Sequence, residues 1–547
     1  MIRARELKAN LNIWSVLSLV FVFLIILLNL SIFLNIFKET SEYWSHIKEY
    51  LLVDYIINTS TLIALGGFFT MIIGTSLAWL VTAFQFPMSG FFKWGLILPL
   101  AVPSYIARFT YHGLLNYTVV IQSFLRNYLE IQVNQKYFNI MSTGGAVFIL
   151  TMVLFPYVFA IVRAFLTKQS ADLIENARVL GKGLWAIFFQ VVLPISRAAI
   201  VGGVSLVILE ILNEYGLVNY FGIPTFSVAI FRTWFGLSDL DSAVRLAAIL
   251  MGMVLVILLA EKALRGRKRF SYSTSKARPI TPMKLKGGKQ WLAFGYCLAV
   301  FGFGFLIPTL QLMHWAYLTY KDILNANFLE YMFNSVKMAF IASVVIIIVA
   351  LVIANYCRIK QNFLTKIYAR ITILGYSIPG AVIAVAVMIF FIGLDNNLQG
   401  VYQAIAPNAG NLILATSLAM LLFAYIVRFL GIGYNSIESG FDKIGKSYFE
   451  ASRMLGMSVT KTFFKVDLKM IKPAIFSGFI LVFVDILKEL PLTMILRPFN
   501  FHTLATKAYQ FANDEMIHEA AIASLFIIFT SVALIYFLNK NLVEEGK

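Results

Sequence analysis

Apolar residues recur along the chain in runs of about 20, each bounded by charged, proline or glycine residues, a length that fits a helix crossing a bilayer core of about 30 Å. The runs do not alternate every second residue, so they are not β-barrel strands. With their interfacial flanks they predict twelve helices, over roughly 13–37, 57–83, 93–113, 143–165, 198–216, 242–261, 291–313, 331–357, 371–393, 411–430, 474–491 and 517–538. The first run follows Arg3, Arg5 and Lys8, is too long for a signal-peptide core, and meets Lys38-Glu39 with no small-residue cleavage site, so it is expected to stay as the first span. The expected fold class is an all-α polytopic membrane protein.

Composition sharpens this. Of 547 residues, 60% are hydrophobic and only 13% charged, and the mean hydropathy is +0.80, too little polar surface for a water-facing globule. Cys297 and Cys357, the two cysteines, lie within or at the edge of apolar runs without ligand-type neighbours and read as packing residues. The net charge of +18 does not point to nucleic acid, because most of the 45 lysines and arginines follow the loops of one side of a membrane. The positive-inside rule makes that side, with both termini, cytoplasmic. The richest stretch, Lys262 to Lys289, holds ten basic residues together with Pro279, Pro282 and Gly287-Gly288, and reads as a solvated linker at the anionic leaflet surface. It divides the chain into a first half, 1–261, a linker, 262–290, and a second half, 291–547.

The halves repeat. At an offset of 275, Glu175 to Gly203 lies over Glu450 to Gly478 with eleven identities in 29 positions. Six helices per half give both halves the same orientation, a parallel repeat, so both repeated loops face the cytoplasm. In each loop a short helix is expected to start at a capping box, Asp172 with Glu175 and Ser447 with Glu450, and to stop at a glycine, Gly181 or Gly456, free to take the left-handed conformation. An amphipathic segment with Phe188-Phe189 or Phe463-Phe464 then leads back to the bilayer. The result is a helix-turn-helix knob suited to docking a cytoplasmic partner.

The loops, 170–200 and 445–475, share the pattern E-x-[AS]-x3-G-x9-V-x-L, which resembles the EAA loop through which permeases of ABC importers engage their ATPase subunits. Further segments are similar to the ferric-iron branch of that family: Phe86 to Phe109, Gly144 to Phe159, Leu374 to Val385, Tyr425 to Leu430 and Val484 to Gln510. The chain departs from the pattern at Lys469, where the first loop has Pro194, and at Asn176, where the first alanine of the motif is usual. The resemblance implies a type I importer permease in a bacterial inner membrane. It further implies two copies of a cytoplasmic ATPase and a periplasmic iron-binding protein as partners, with Glu175, Arg178, Gly181, Glu450, Arg453 and Gly456 in the coupling loops. ATP and Mg would then sit on the partner ATPase, with ferric iron as the substrate and no cofactor bound permanently to this chain. A thiamine or other organic-cation permease is the neighbouring reading, and an ion-driven secondary transporter the reading from another class.

One motif is misleading. GFDKIGKS, Gly440 to Ser447, fits the phosphate-loop expression, but such a loop must follow a buried strand and open a helix in an α/β domain, and the sequence has no such domain. Hydrolysis is therefore expected on a separate subunit. The informative charges lie inside the membrane: Glu210 and Glu214 on the fifth helix, and Asp485 and Glu489 at the same offset on the eleventh. Each pair shares a helical face, with the leading acid about 17 Å from the cytoplasmic helix start at roughly 1.5 Å per residue. Acids at that depth face a water-filled path or a partner. They read either as a transient oxygen-ligand site for ferric iron, centred on Glu210 and Asp485, or as structural pairs with Lys488 in reach of Asp485. Pro103 and Pro379 interrupt the third and ninth helices beside Tyr105 and Tyr376, as packing kinks or as lining of the same path.

Overall fold

A computed structural model describes residues 13–36, 41–115, 120–128, 130, 139–168, 172–265, 281–405 and 410–544. Arg3, Arg5, Lys8 and the 266–280 part of the basic linker lie outside them. Up to Arg265 the chain forms α1 (Ile13–Ile36), α2 (Glu42–Ala83), α3 (Ser89–Ala101), α4 (Ser104–Leu115), α5 (Val120–Asn127), α6 (Thr143–Lys168) and α7 (Asp172–Val179), then α8 (Leu184–Asn213), α9 (Gly216–Tyr220), α10 (Phe226–Leu237) and α11 (Leu240–Arg265). From Gly288 it forms α12 (Gly288–Ile323), α13 (Ala326–Ile359), α14 (Phe363–Ser377), α15 (Gly380–Ile405), α16 (Leu418–Ile444) and α17 (Ser447–Met454), then α18 (Val459–Met470), α19 (Lys472–Leu487), α20 (Pro491–Leu496), α21 (Leu504–Asn513) and α22 (Ala520–Glu544). Among the described residues nine helices are long and apolar enough to span a bilayer, and two bent pairs bring the number to eleven. The only sheet among these residues is a two-residue parallel bridge, Phe84–Gln85 with Met283–Lys284.

Several expected helices differ in form. The third run is not one helix: α3 and α4 meet at 91° around Pro103. The ninth likewise stops at Ser377 and restarts at Gly380, because Pro379 has no N–H to continue the ladder. The fifth begins well before residue 198. Its knob segment runs through a π-helical turn, Phe188–Val192, straight into the span, whereas α18 and α19 are bent by 74°. A second π turn, Phe463–Asp467, lies 275 residues from the first.

The second capping box is corrected too. Ser447 is the first residue of α17, its cap is Lys446, and no side-chain cap bond forms. The reason is local: Gly445, at φ +64°, turns the chain and lets the helix start early enough to include Ser447. The first box falls outside the described residues, which take up this helix at Asp172 and leave out its side chain. The glycine stops do form. Gly181 and Gly456 have φ +76° and +81°, with Lys182 N–H donating to the Ala177 carbonyl at 3.1 Å and Met457 N–H to that of Ser452 at 3.2 Å.

Small residues set the helix spacing. A Cβ at Gly74 would lie 2.7 Å from Val158 Cβ, and one at Gly203 2.8 Å from Val158 Cα, so α2 and α8 both close on α6 only because these positions are bare. Two buried cores result, and both mix the halves. One joins α2, α4, α6 and α8 to residues of α12, α21 and α22; the other joins α13, α15, α16 and α19 to α1 and α11. Each half's leading helix therefore packs on the other. Ser76 and Tyr296 hydroxyls lie 2.7 Å apart, and the Trp14 ring meets Phe463 at 4.6 Å while its Nε1 donates to Thr460 at 3.3 Å.

Candidate functional site

The broken pair α3–α4, the end of α14 and the ends of α8 and α19, with residues of α6 and α16, line a half-open cavity of about 90 Å³. Tyr105, Glu210, Glu214, Tyr376, Asp485 and Glu489 all line it. The six intramembrane residues singled out in the sequence are thus in one place, but they do different work.

Glu214 and Glu489 follow the ends of α8 and α19 and turn back on the short helices beyond. Glu214 Oε1 accepts the Leu217 N–H at 2.8 Å, and Glu489 Oε1 accepts that of Leu492 at 3.1 Å. Both bonds satisfy a donor at a helix start, in the manner of a cap. Their second oxygens diverge: Ser104 donates to Glu214, and Arg428 Nε lies 3.4 Å from Glu489 Oε2 with both side chains buried.

The leading acids are not matched. Glu210 Oε1 accepts from Tyr376 at 3.0 Å and from Tyr157 at 3.4 Å, one phenol from each half. Asp485 pairs with Lys488 at 2.8 Å, and both remain about one-fifth exposed. The pairing anticipated for Lys488 is therefore present. A second contact across the junction is the Gly380 N–H donating to Asn213 Oδ1 at 2.7 Å. A Cβ at Gly380 would fall 2.8 Å from Arg428 Nη1 and 3.1 Å from Glu489 Oε1, so only glycine lets α15 begin against this cluster. Tyr105 packs beneath Gly216, and its buried hydroxyl has no partner among the described residues.

Arg108, Tyr157 and Arg428 were missed in the sequence. Arg108 is fully buried, donates from Nη1 to the Gly216 carbonyl at 2.7 Å and stacks 3.4 Å from the Tyr220 ring centre. Both arginines sit inside apolar runs, the same signal that exposed the acids. Among the described residues no three His, Cys, Asp or Glu side chains gather as a metal-holding group, so a cation at Glu210 and Asp485 would also draw on the phenols of Tyr157 and Tyr376.

At the far ends of α6 and α16 stand the knobs. Glu175, Glu450, Arg453, Gly181 and Gly456 are exposed, Arg178 is half-buried, and a Cβ at either glycine would meet nothing within 4 Å. Val179, Leu180 and Trp185 on one knob, and Met454 and Leu455 on the other, leave large apolar surface uncovered. The phosphate-loop match fails on geometry as well, since Gly440 to Ile444 belong to α16 and follow helix rather than strand.

Residues 346–544 match the family described as binding-protein-dependent transport system inner membrane component. Over 493 residues the chain is 24% identical to the Fe(3+)-transport system permease protein FbpB 2 of Haemophilus influenzae, covering 89% of this chain and 90% of that one. It is 21% identical over 496 residues to the ferric transport system permease protein FbpB of Actinobacillus pleuropneumoniae, covering 86% and 69%. It is also 28% identical over 205 residues to the sulfate transport system permease protein CysT of Escherichia coli, covering 37% and 72%. With residues 346–544 matching the binding-protein-dependent family, the chain is a polytopic membrane permease of the ABC-importer type, similar along most of its length to ferric-transport permeases.

Proposed function

We propose that this permease moves ferric iron, received from a periplasmic binding protein, into the cytoplasm, and that two copies of a separate ATPase drive it through the knobs. Its termini are cytoplasmic, it holds no permanent cofactor, and ATP and Mg act on the partner. The ion-driven alternative gives way to the family assignment. The observation that carries the ferric reading over sulfate is the charge of the cavity. Four carboxyl side chains line it against two cationic ones, Arg428 and Lys488. Oxyanions are disfavoured there, while carboxylates and phenols are the hard oxygen partners a trivalent cation takes. Each must release it again, which weak and divided coordination permits.

An organic cation such as thiamine is the second reading, favoured by the aromatic lining of Tyr105, Tyr157, Tyr215, Tyr376 and Phe429. The permease, reconstituted in vesicles with its ATPase and the loaded binding protein, is expected to accumulate radiolabelled ferric iron, unaffected by excess sulfate, molybdate or thiamine. Competition by one of these would reassign the substrate.

A further inference from the structure

Behind the second knob lies a buried charge cluster that the transport path does not use. Arg358, near the end of α13, places Nη1 2.9 Å from Asp467 Oδ1, with the two side chains 9% and 0% exposed. Its Nη2 donates to the Gly445 carbonyl at 3.3 Å, and the guanidinium lies 4.6 Å from the Phe441 ring centre and 5.4 Å from that of Phe449. These partners belong to α16, to the turn that opens the knob, to the knob helix α17 and to the π turn that follows it. Neither oxygen of Asp467 has another partner among the described residues.

The first half closes the same place without charge. The uncharged Thr82 stands for Arg358 at the 276-residue offset that joins Pro103 to Pro379, and at 275 the apolar Val192 stands for Asp467 and Leu166 for Phe441, all of them buried. Apolar contacts of that kind can slide at little cost, because dispersion and burial have no direction. A desolvated ion pair cannot, since separating it leaves two unpaired buried charges. The second knob is held from a further side as well, by Trp14 of α1 against Phe463 and Thr460 of α18.

We propose that Arg358 and Asp467 are positioning residues for coupling: across the bend between α18 and α19 they make the second knob, α13 and α16 move as one body, a task that the unbroken helix α8 performs for the first knob. The path onward is short. Beyond Asp467 the chain completes α18 and bends into α19, α13 packs on both α16 and α19, and Arg428 of α16 binds Glu489 just beyond α19, at the cavity. The inference rests on the knobs being the ATPase-docking loops.

The test compares wild type, Asp467→Asn, the double variant Arg358→Met with Asp467→Leu, and Val192→Ala as the first-half control. Each is reconstituted with ATPase and loaded binding protein, and both iron uptake and ATP hydrolysis are read. The apolar double variant removes both charges together, a replacement that buried ion pairs generally tolerate in folding. Both second-half variants are expected to accumulate with ATPase bound and to hydrolyse ATP, while uptake per ATP falls about tenfold, within the usual range of coupling energies. Val192→Ala should keep the wild-type ratio. An unchanged ratio in the double variant overturns the proposal, and so does its failure to accumulate, which would make the pair a folding determinant. If wild type itself retains no ATPase, it is the docking reading that fails.

Discussion

Glu210 and Asp485 occupy equivalent places on equivalent helices, yet one is held by two phenols and the other by an ammonium. Four residues on, Glu214 and Glu489 do the same thing in both halves, each accepting an N–H three residues ahead. The contrast separates two roles for a membrane carboxylate. Where the backbone dictates the need, as at the start of α9 and α20, the repeat has kept one solution. Where the side chain faces the cavity, the halves have drifted apart: Arg428 stands opposite Val153, and Gly380 opposite Ser104. A repeated scaffold thus carries an unsymmetrical interior, whose two sides offer different partners.

The comparison can be broken most severely at Arg428. Arg428→Ala strands the buried Glu489 carboxylate and is expected to cost about 3–5 kcal/mol, seen as lost thermal stability in detergent. Val153→Ala, at the equivalent place, should cost clearly less. The next largest effects fall on transport. Glu210→Gln with Asp485→Asn should leave assembly intact but lower ferric uptake at least about tenfold, the loss that about 1.4 kcal/mol of barrier gives. Among single changes, Asp485→Asn should be worse than Lys488→Met, because it leaves an unpaired ammonium facing the cation. Equal uptake in those two would show that the pair is only structural.

Smaller effects belong to the backbone. Gly181→Val and Gly456→Val force a β-branched residue into the left-handed region at roughly 1–2 kcal/mol each, and should reduce ATPase recovery and uptake while the protein stays in the membrane. Smallest is the cap. Glu214→Ala should cost about 1 kcal/mol, whereas Glu214→Gln, which still offers an oxygen to Leu217, should be almost silent in the same melting assay. Glu489→Gln should not be silent, since it also deprives Arg428 of its counter-charge.

Much of this was legible in the sequence because the bilayer allows few solutions. Apolar length located the spans, the repeat revealed the pseudosymmetry of the knobs, and Gly181 and Gly456 announced their stops. The intramembrane acids pointed to a polar interior by their cost in lipid alone. What escaped depends on contacts distant in sequence. Arg108 and Arg428 are as anomalous in apolar runs as Glu210, but basic residues counted toward sidedness are easily left out of the cavity. Ser447 looked like a cap because its neighbours fit the motif, and a glycine two residues earlier moved the helix start. The exchange of α1 and α12 between halves leaves no local trace, since an apolar run shows that a helix spans the bilayer but not which neighbours it packs on.

That exchange bears on how the chain is made. The first core contains Cys297 and Trp315 from α12 and Ile527 and Ile528 from α22, so it cannot close until the last helix has left the ribosome. Until then α2, α6 and α8 must wait in the bilayer with Arg108 and Glu214 lacking a finished interior around them. The first core therefore closes last, and the basic linker must let α12 pack back on the first half before that half can be complete.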